Sequence, residues 1–377
     1  MYLSCQAPNL IMTKRRYKLQ FKRTSKQKLV LFVVLFLVFL AWSSTLYIAH
    51  KSSSPRLPAV SDWFPLRAMA NAKPSIDIVN DYYPFVDFKF VFPEISPKVH
   101  TTPNILLMVL VNSGAKGDRF RKLRKAIRQT WGNHGNCEQR KALGDERLKD
   151  LRWLLVFVVG KAGRGTNDDE LNRAEARQYN DMLIGNITDN YINNVIKLYM
   201  GLVWASRFDI KYILKTDDDV YVRIPRILEY LVNATFPKPF CGGVTYWHFG
   251  KVYREIGAKW AISWRYYGET HFPKYNPGAF FILSSDLLNR LFNYVYIRKP
   301  FHVDDAYIGV AMRDFGVKVT KIFSFALKPN MSEYIRNAGH CDILPLHAIG
   351  HNMEPESTRF LNNRLKTLAC GRKQIKC

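Results

Sequence analysis

Acidic residues are in short supply: Asp and Glu number 31 against 56 Lys and Arg, a formal charge of +25. Residues 1–28 contain none at all. Cysteine is sparse too, six in 377 residues with no Cys-x-x-Cys pair. That argues against a zinc ribbon and excludes a disulfide-dense miniprotein. No internal repeat is evident. With 47% apolar and 23% charged residues, disorder and collagen are excluded and there is ample material for a core. At roughly 150 residues per domain, the length allows one large domain or two modest ones. A basic excess of this size suits nucleic acid, an anionic membrane face or an anionic substrate. No zinc finger, RNP motif or basic zipper is present, so nucleic acid is not an expected partner.

The position of the charge is informative. Lys14, Arg15, Arg16, Lys18, Lys22, Arg23, Lys26 and Lys28 precede an uncharged apolar run, Leu29 to Ala49. At about 1.5 Å per residue such a helix just spans a hydrocarbon core of about 30 Å. The positive-inside rule keeps residues 1–28 in the cytosol and sends everything after His50 to the far side. A single-pass, type II topology follows. The run exceeds the h-region of a cleaved signal peptide, the rival reading. A buried soluble helix fits less well, because no polar stripe breaks Leu29–Trp42. Residues 50–102 are punctuated by Pro55, Pro58, Pro65, Pro74, Pro84, Pro93 and Pro97. They read as a stem, with the catalytic domain over 103–377. Tyr82, Tyr83 and Phe85 suggest that the second half of the stem packs on that domain. Beyond the span lie five cysteines, an odd number, so at least one is unpaired or joins another chain. Three sequons, at Asn186, Asn233 and Asn330, fall on the same side.

Asn104–Val111 and Trp153–Val159 are short continuous apolar runs, as in strands buried on both faces. Lys211–Leu214 is a third. Arg119–Trp131, Glu170–Asn180 and Tyr191–Arg207 have helical spacing. Strands alternating with helices predict an α/β fold with a mostly parallel sheet, in which ligands bind beyond the carboxyl ends of the strands.

At such an end stand Asp217, Asp218 and Asp219, between apolar residues on both sides. Adjacent carboxylates repel, and desolvating them is costly unless a cation compensates. A hard divalent ion would do so and could bridge to a diphosphate. A solvated acidic turn is the alternative. An EF-hand is disfavoured, since its acids alternate and a Glu closes the loop. A second acidic pair, Asp304-Asp305, opens an apolar stretch that reads as a helix. Carboxylates there satisfy the helix dipole or supply a general base.

These stretches carry a resemblance. Arg124-Lys-Ala-Ile-Arg128-Gln-Thr-Trp131, Lys215-Thr-Asp-Asp-Asp-Val-Tyr-Val222, Lys259-Trp-Ala-Ile-Ser263, Phe272-Pro-Lys-Tyr275 with Gly278, and Asp304-Asp305-Ala-Tyr-Ile-Gly309 occur in this order. From about Asn104 to Leu365 the chain resembles the β1,3-glycosyltransferase family of Golgi β1,3-galactosyltransferases and β1,3-N-acetylglucosaminyltransferases. The resemblance implies a GT-A type nucleotide-sugar-binding fold. It also implies a UDP-sugar donor, Mn²⁺ (or Mg²⁺) on the diphosphate, and an acceptor glycan on a glycolipid or glycoprotein. A type II Golgi membrane address and inverting transfer of a hexose, galactose first, to a 3-hydroxyl come with it. The alternatives are N-acetylglucosamine or N-acetylgalactosamine as the donor sugar, or a catalytically silent glycan-binding relative. A homo-oligomer is compatible with it. By position Asp219 would be the metal ligand with His351, or His347 as fallback. Asp217 and Asp218 would face the ribose or donor sugar, and Asp305 would be the base. Lys215 is assigned to the donor with them; so are Arg128, which with Arg124 four residues away on a helix could reach a phosphate, and Trp260, whose ring could stack on a sugar. Arg124 and Arg128 compete with a solvated-surface reading, and Trp204, Trp247 and Trp264 with core packing. The chain departs from the family where Asp-Asp-Ala replaces Glu-Asp-Val, where Tyr275-Asn-Pro-Gly278 lacks a Cys, and at Phe280. The Phe280 ring, at a position usually Gly, is expected to reshape a donor-side wall. Tyr191–Lys197 follows the family's Tyr-x-Asn-Leu-Thr-x-Lys only loosely.

Overall fold

The first apolar run forms strand β2 (Ile105–Asn112), buried at every residue but its last. In this computed structural model residues 80–99, 105–245, 250–328, 330–371 and 377 are described, all within the unit Ala72–Cys377. The expected basic tail 1–28, membrane span 29–49, stem residues 50–79 and Trp247 lie outside the described residues. Among the described residues no helix is long and apolar enough to cross a membrane.

The strands in chain order are β1 (Pro93–Ile95), β2, β3 (Arg152–Lys161), β4 (Met182–Thr188), β5 (Ile210–Asp217) and β6 (Tyr221–Val222). They continue with β7 (Cys241–Gly243), β8 (Phe280–Ser284), β9 (Val319–Lys321), β10 (Phe325–Leu327) and β11 (Ala348–Gly350). The helices are α1 (Asp118–Gln129), α2 (Cys137–Ala142), α3 (Asp168–Tyr179), α4 (Asn194–Ala205) and α5 (Ile224–Asn233). After them come α6 (Leu288–Ile297), α7 (Asp304–Asp314), α8 (Met331–Asn337), α9 (His340–Ile343) and α10 (Pro355–Cys370). The main sheet has the order β1-β4-β3-β2-β5-β8-β7-β9. Its centre, β4-β3-β2-β5, is parallel, as βαβ crossovers require; β8 and β1 run the other way. The chain steps from β2 through β3 to β4, then returns to place β5 on the far side of β2. That reversal opens a crevice beyond the carboxyl ends of β2 and β5.

A second sheet, β10-β11-β6, finishes the site. β6 follows the aspartate triplet and runs antiparallel to β11, with Val222 opposite Ala348 and Tyr221 opposite Ile349. Just beyond that pairing Val220 packs against Gly350, which brings the segment after β11 to the aspartate triplet.

One expectation, for Phe280, changes. The described residues of the stem lie against the domain. β1 pairs with β4, and Phe88 and Phe90 meet Tyr199 edge-on at 5.2 and 6.1 Å. An open sheet edge and two large rings both gain by leaving water. Phe280 is no donor-side wall: it is wholly buried in β8, edge-on to Phe325 at 5.2 Å. Trp204 is core, as its apolar helix face implies. Cys137–Cys370 ties α2 to the end of α10, Cys341 pairs with Cys377, and Cys241 is the free cysteine among the described residues.

Candidate active site

The aspartate triplet divides by side. Asp218 points inward and accepts a hydrogen bond from Ser113 Oγ at 2.6 Å; that hydroxyl accepts from Arg124 Nη1 at 3.0 Å. Burial pushes the Asp218 carboxyl up to about 7, with the charges of Asp219 and Asp217 adding to it and the Ser113 bond opposing. Asp219 is gripped by the C-terminal segment. Its Oδ2 accepts from Asn352 N–H at 3.1 Å and its carbonyl from Met353 N–H at 3.0 Å. Burial, then the charge of Asp217, raises the Asp219 carboxyl, while the Asn352 amide and His351 pull the other way. His351, next in the chain to Asn352, therefore comes close enough for its charge to act on Asp219, and is exposed.

His347 occupies the opposite end of β11. Its ring lies edge-on to Tyr230 at 6.3 Å, and burial with Arg223 and Arg226 lowers it to about 4. It is set among cations, away from the triplet, so the fallback assignment fails.

Gly350 makes the close approach of the two strands possible. A Cβ there would meet Val220 Cγ1 at 2.6 Å and Phe280 Cε1 at 3.0 Å, both in packed surroundings. Gly350→Ala should therefore cost about 1–3 kcal/mol of stability and push His351 away from Asp219. Thermal melts with and without Mn²⁺ check this: a variant with wild-type melting and wild-type Mn²⁺ response contradicts it.

The second acidic motif opens α7. Asp305 Oδ2 accepts from Gly278 N–H at 2.7 Å and Oδ1 from Ala306 N–H at 2.8 Å. Burial, then neighbouring Asp304, lifts the Asp305 carboxyl to about 7, against Lys215 and the two amides. The two motifs are clasped by Lys215 on β5. Its buried Nζ lies 2.9 Å from Asp217 Oδ1 and 3.9 Å from Asp304 Oδ2, and donates to the Gly278 carbonyl. Burial would lower this ammonium, but the carboxylates of Asp217 and Asp304 outweigh that and hold it above the usual lysine range. Expected at the donor, Lys215 instead faces inward between the two motifs. A buried charge is tolerated there only because acids surround it.

Arg128 is likewise corrected. Its guanidinium bonds Glu175 at 2.6 Å and Asp181 at 2.7 Å and lies 4.1 Å from the Tyr179 ring centroid. Its charge is already matched by these two carboxylates. Arg124, wholly buried, bonds Glu175, Asn172 and Ser113, so it supports Asp218 from behind. Trp260 is 48% exposed and tilted against Tyr253 at 6.0 Å. Lys259 Nζ lies 5.6 Å from its ring centroid and also covers, at 4.6 Å, that of Tyr191, whose phenol is raised by burial and then by the charges of Asp305 and Asp304. Trp260 thus groups with Asp305. Trp264 is exposed beneath Arg254, 3.8 Å from its ring centroid.

Several residues of the site were not singled out from the sequence. Ser113, Asn352 and Tyr191 are three. Lys197 is the fourth: on α4 it donates to the Ser113 carbonyl at 2.9 Å and to Asp189 at 2.8 Å, bracing the loop after β2. Tyr191 and Lys197 bound the loosely matching stretch, the one signal available for them.

A sheet switch point that gathers two acidic motifs around one buried lysine is a setting for group transfer. A family model described as galactosyltransferase matches residues 122–322, more than half of the chain. The protein belongs to that family, among the β1,3-glycosyltransferases it resembles. It is 27% identical over 202 residues to human and mouse beta-1,3-galactosyltransferase 1, covering 52% of this chain and 56% of the relative. It is 28% identical over 239 residues to human UDP-GalNAc:beta-1,3-N-acetylgalactosaminyltransferase 1, covering 62% of this chain and 66% of that relative. The chain thus spans a little over half the length of the first relatives it matches. Drosophila beta1,4-galactosyltransferase 7, solved with manganese, UDP-Gal and xylobiose, aligns at 12% identity over 60% of this chain and 68% of that one. Its TM-score is 0.29, a likeness too slight to argue from.

Proposed function

We propose that the protein is an inverting glycosyltransferase that moves a hexose, galactose first, from a UDP-sugar to the 3-hydroxyl of an acceptor glycan on a lipid or protein. The observation that carries this reading is the clasp at Lys215. It sets a carboxylate pair with an adjacent imidazole on one side and a separate carboxylate near neutrality on the other. Within a GT-A type arrangement, β2 to β5 would form the nucleotide-binding half. With the reading comes a luminal Golgi domain on a single type II span.

The chemistry follows from these residues. Asp305 takes the proton of the acceptor hydroxyl as that oxygen bonds the anomeric carbon. The bond to UDP breaks on the opposite face, so an α-linked donor yields a β-linked product. A base near pH 7 is well matched to this step. Tyr191 stays protonated beside it, and Trp260 offers an exposed ring on which a pyranose can stack. Asp219 and His351 fit a divalent cation. Asp217 adds repulsion at Asp219 that a cation would relieve, and carboxylate with imidazole suits Mn²⁺ or Mg²⁺. Among the described residues no three such groups close around an ion, so substrate phosphate oxygens and water would complete the shell. Such an ion, when bound, supplies charge neutralisation for the leaving diphosphate. No protonated acid is needed at the leaving oxygen, unlike in a glycosidase.

The test is a panel of UDP-galactose, UDP-N-acetylgalactosamine and UDP-N-acetylglucosamine with Mn²⁺ and the purified full-length chain, followed by linkage analysis of the product. Mn²⁺-dependent turnover with a β1,3 product is expected. A folded protein that turns over none of the three donors defeats the reading and favours a silent, glycan-binding relative.

A further inference from the structure

The segment Tyr82–Phe90 lies outside every motif used above, yet it is bonded to the side of the site that holds Trp260. Tyr83 grips the chain there at two points. Its hydroxyl donates to the Arg254 carbonyl at 2.8 Å, and its carbonyl accepts from Ser263 N–H at 3.0 Å. These anchors bracket residues 255–262, the excursion that carries Lys259 and Trp260. Around them Val86 N–H donates to the Tyr266 hydroxyl at 2.8 Å, and the Tyr82 and Tyr266 rings meet edge-on at 4.8 Å. Lys299 Nζ lies 4.5 Å from the ring centroids of both Tyr82 and Phe85.

The excursion has little structure of its own. It has two turn bonds, from Ala258 N–H to the Glu255 carbonyl and from Ala261 N–H to the Ala258 carbonyl, and the isolated bridge Tyr253 to Ala261; Lys251 to His271 closes its base. From inside, Arg254 ties the two ends together, donating to the carbonyls of Ile262, Tyr267 and Glu269 at 2.7, 2.8 and 2.5 Å. Such a loop keeps its shape through its anchors rather than through a ladder. The outermost anchor at the Arg254 backbone is supplied by a residue 171 positions earlier. Trp260 is half exposed, and the loop reaches the start of α7 through Lys259, whose carbonyl lies 3.0 Å from His302 Nε2 and whose ammonium covers the Tyr191 ring at 4.6 Å. With that inner contact in place, the position of the Trp260 ring depends further on how firmly residues 254 and 263 are held.

We propose that Tyr83 is a positioning residue for the acceptor: it clips the Trp260 loop beside Asp305, so that its loss is felt by the acceptor sugar and not by the donor nucleotide. The inference rests on the reading of Asp305 as the base. Ser113, Asp218 and Asp219 in the crevice of β2 and β5 are bonded to one another, to Arg124 and Lys197 and to the amides of Asn352 and Met353, so the crevice is expected to be unaffected.

The experiment compares full-length wild type with Tyr83→Phe by amide hydrogen exchange and by transfer kinetics with donor and acceptor varied in turn. Tyr83→Phe keeps the ring and the carbonyl bond and removes only the hydroxyl. One such bond corresponds to about a fivefold effect. Amides of Ile262 and Ser263 should exchange about fivefold faster, with those of β5 unchanged. Acceptor KM should rise by a similar factor, while donor KM and acceptor-free hydrolysis of the UDP-sugar stay at wild-type values. Tyr83→Ala should move the same quantities further. Unchanged exchange across 254–263 in both variants overturns the clip. Faster exchange with an unchanged acceptor KM, or an equal rise in donor KM, overturns the positioning role. A wild type that turns over no UDP-sugar sinks the transferase reading and the acceptor role with it, and the exchange measurement still decides the clip.

Discussion

Asp305→Asn is expected to lower kcat for transfer by about 10³-fold and to leave UDP binding at its wild-type level. Asn preserves the volume at the start of α7 and one acceptor for the amides of Gly278 and Ala306, but it cannot take a proton at neutral pH. The site of proton removal is separated from the nucleotide crevice by the Lys215 clasp, so the nucleotide should not register the change. The same residue sets a pH signature. Its carboxyl is raised to about 7 by burial and by Asp304, and only the deprotonated form is a base. Wild-type kcat/KM should therefore fall tenfold for each pH unit below that value and level off above it. In Asp305→Asn the limb should disappear together with most of the rate. Normal transfer by the variant, or a wild-type profile flat from pH 5 to 8, removes Asp305 from the role of base.

Asp219→Asn should damage both binding and turnover. The side-chain oxygen that accepts from Asn352 and the carbonyl that accepts from Met353 are retained, so the C-terminal segment keeps its seat. What is lost is one negative charge opposite His351, where a divalent ion would need it. Mn²⁺ affinity, measured by titration calorimetry in the presence of UDP, should drop by roughly 10²-fold, with a comparable loss in kcat/KM. If Asp219→Asn binds Mn²⁺ and UDP as wild type does, the ion is held elsewhere. The contrast between the two variants matters more than either alone: one should lose chemistry with binding intact, and the other should lose both.

The α/β layout was legible because buried strands declare themselves as apolar runs. Asn104–Val111, Trp153–Val159 and Lys211–Leu214 sit within β2, β3 and β5 or a residue from their ends, and the helix expected from Asp304 begins there. The arginines were not legible. On α1, Arg124 and Arg128 look like a basic helix face, yet their partners Glu175 and Asp181 lie 51 and 53 residues downstream. A free and a committed guanidinium have the same local sequence. Lys215 was misassigned for the same reason, since neither Gly278 nor Asp304 is its neighbour in the chain. In the proline-rich stretch before residue 102 the aromatics pointed to packing, but β1 and the partners of Tyr83 were not legible, because prolines mask a three-residue strand and hydrogen bonds to distant loops have no periodicity.

What the sequence by itself determined was the alternation of strand and helix, the two acidic motifs, the odd cysteine and the family to which such motifs belong. These follow from local periodicity and from short runs of chemistry. Tertiary structure alone decided which histidine faces Asp219, which lysine joins the two acidic motifs, and which arginines are already spent on carboxylates. Charge and hydrogen-bonding capacity are fixed residue by residue, but whether they remain available to a substrate depends on burial and on partners that only folding brings within reach.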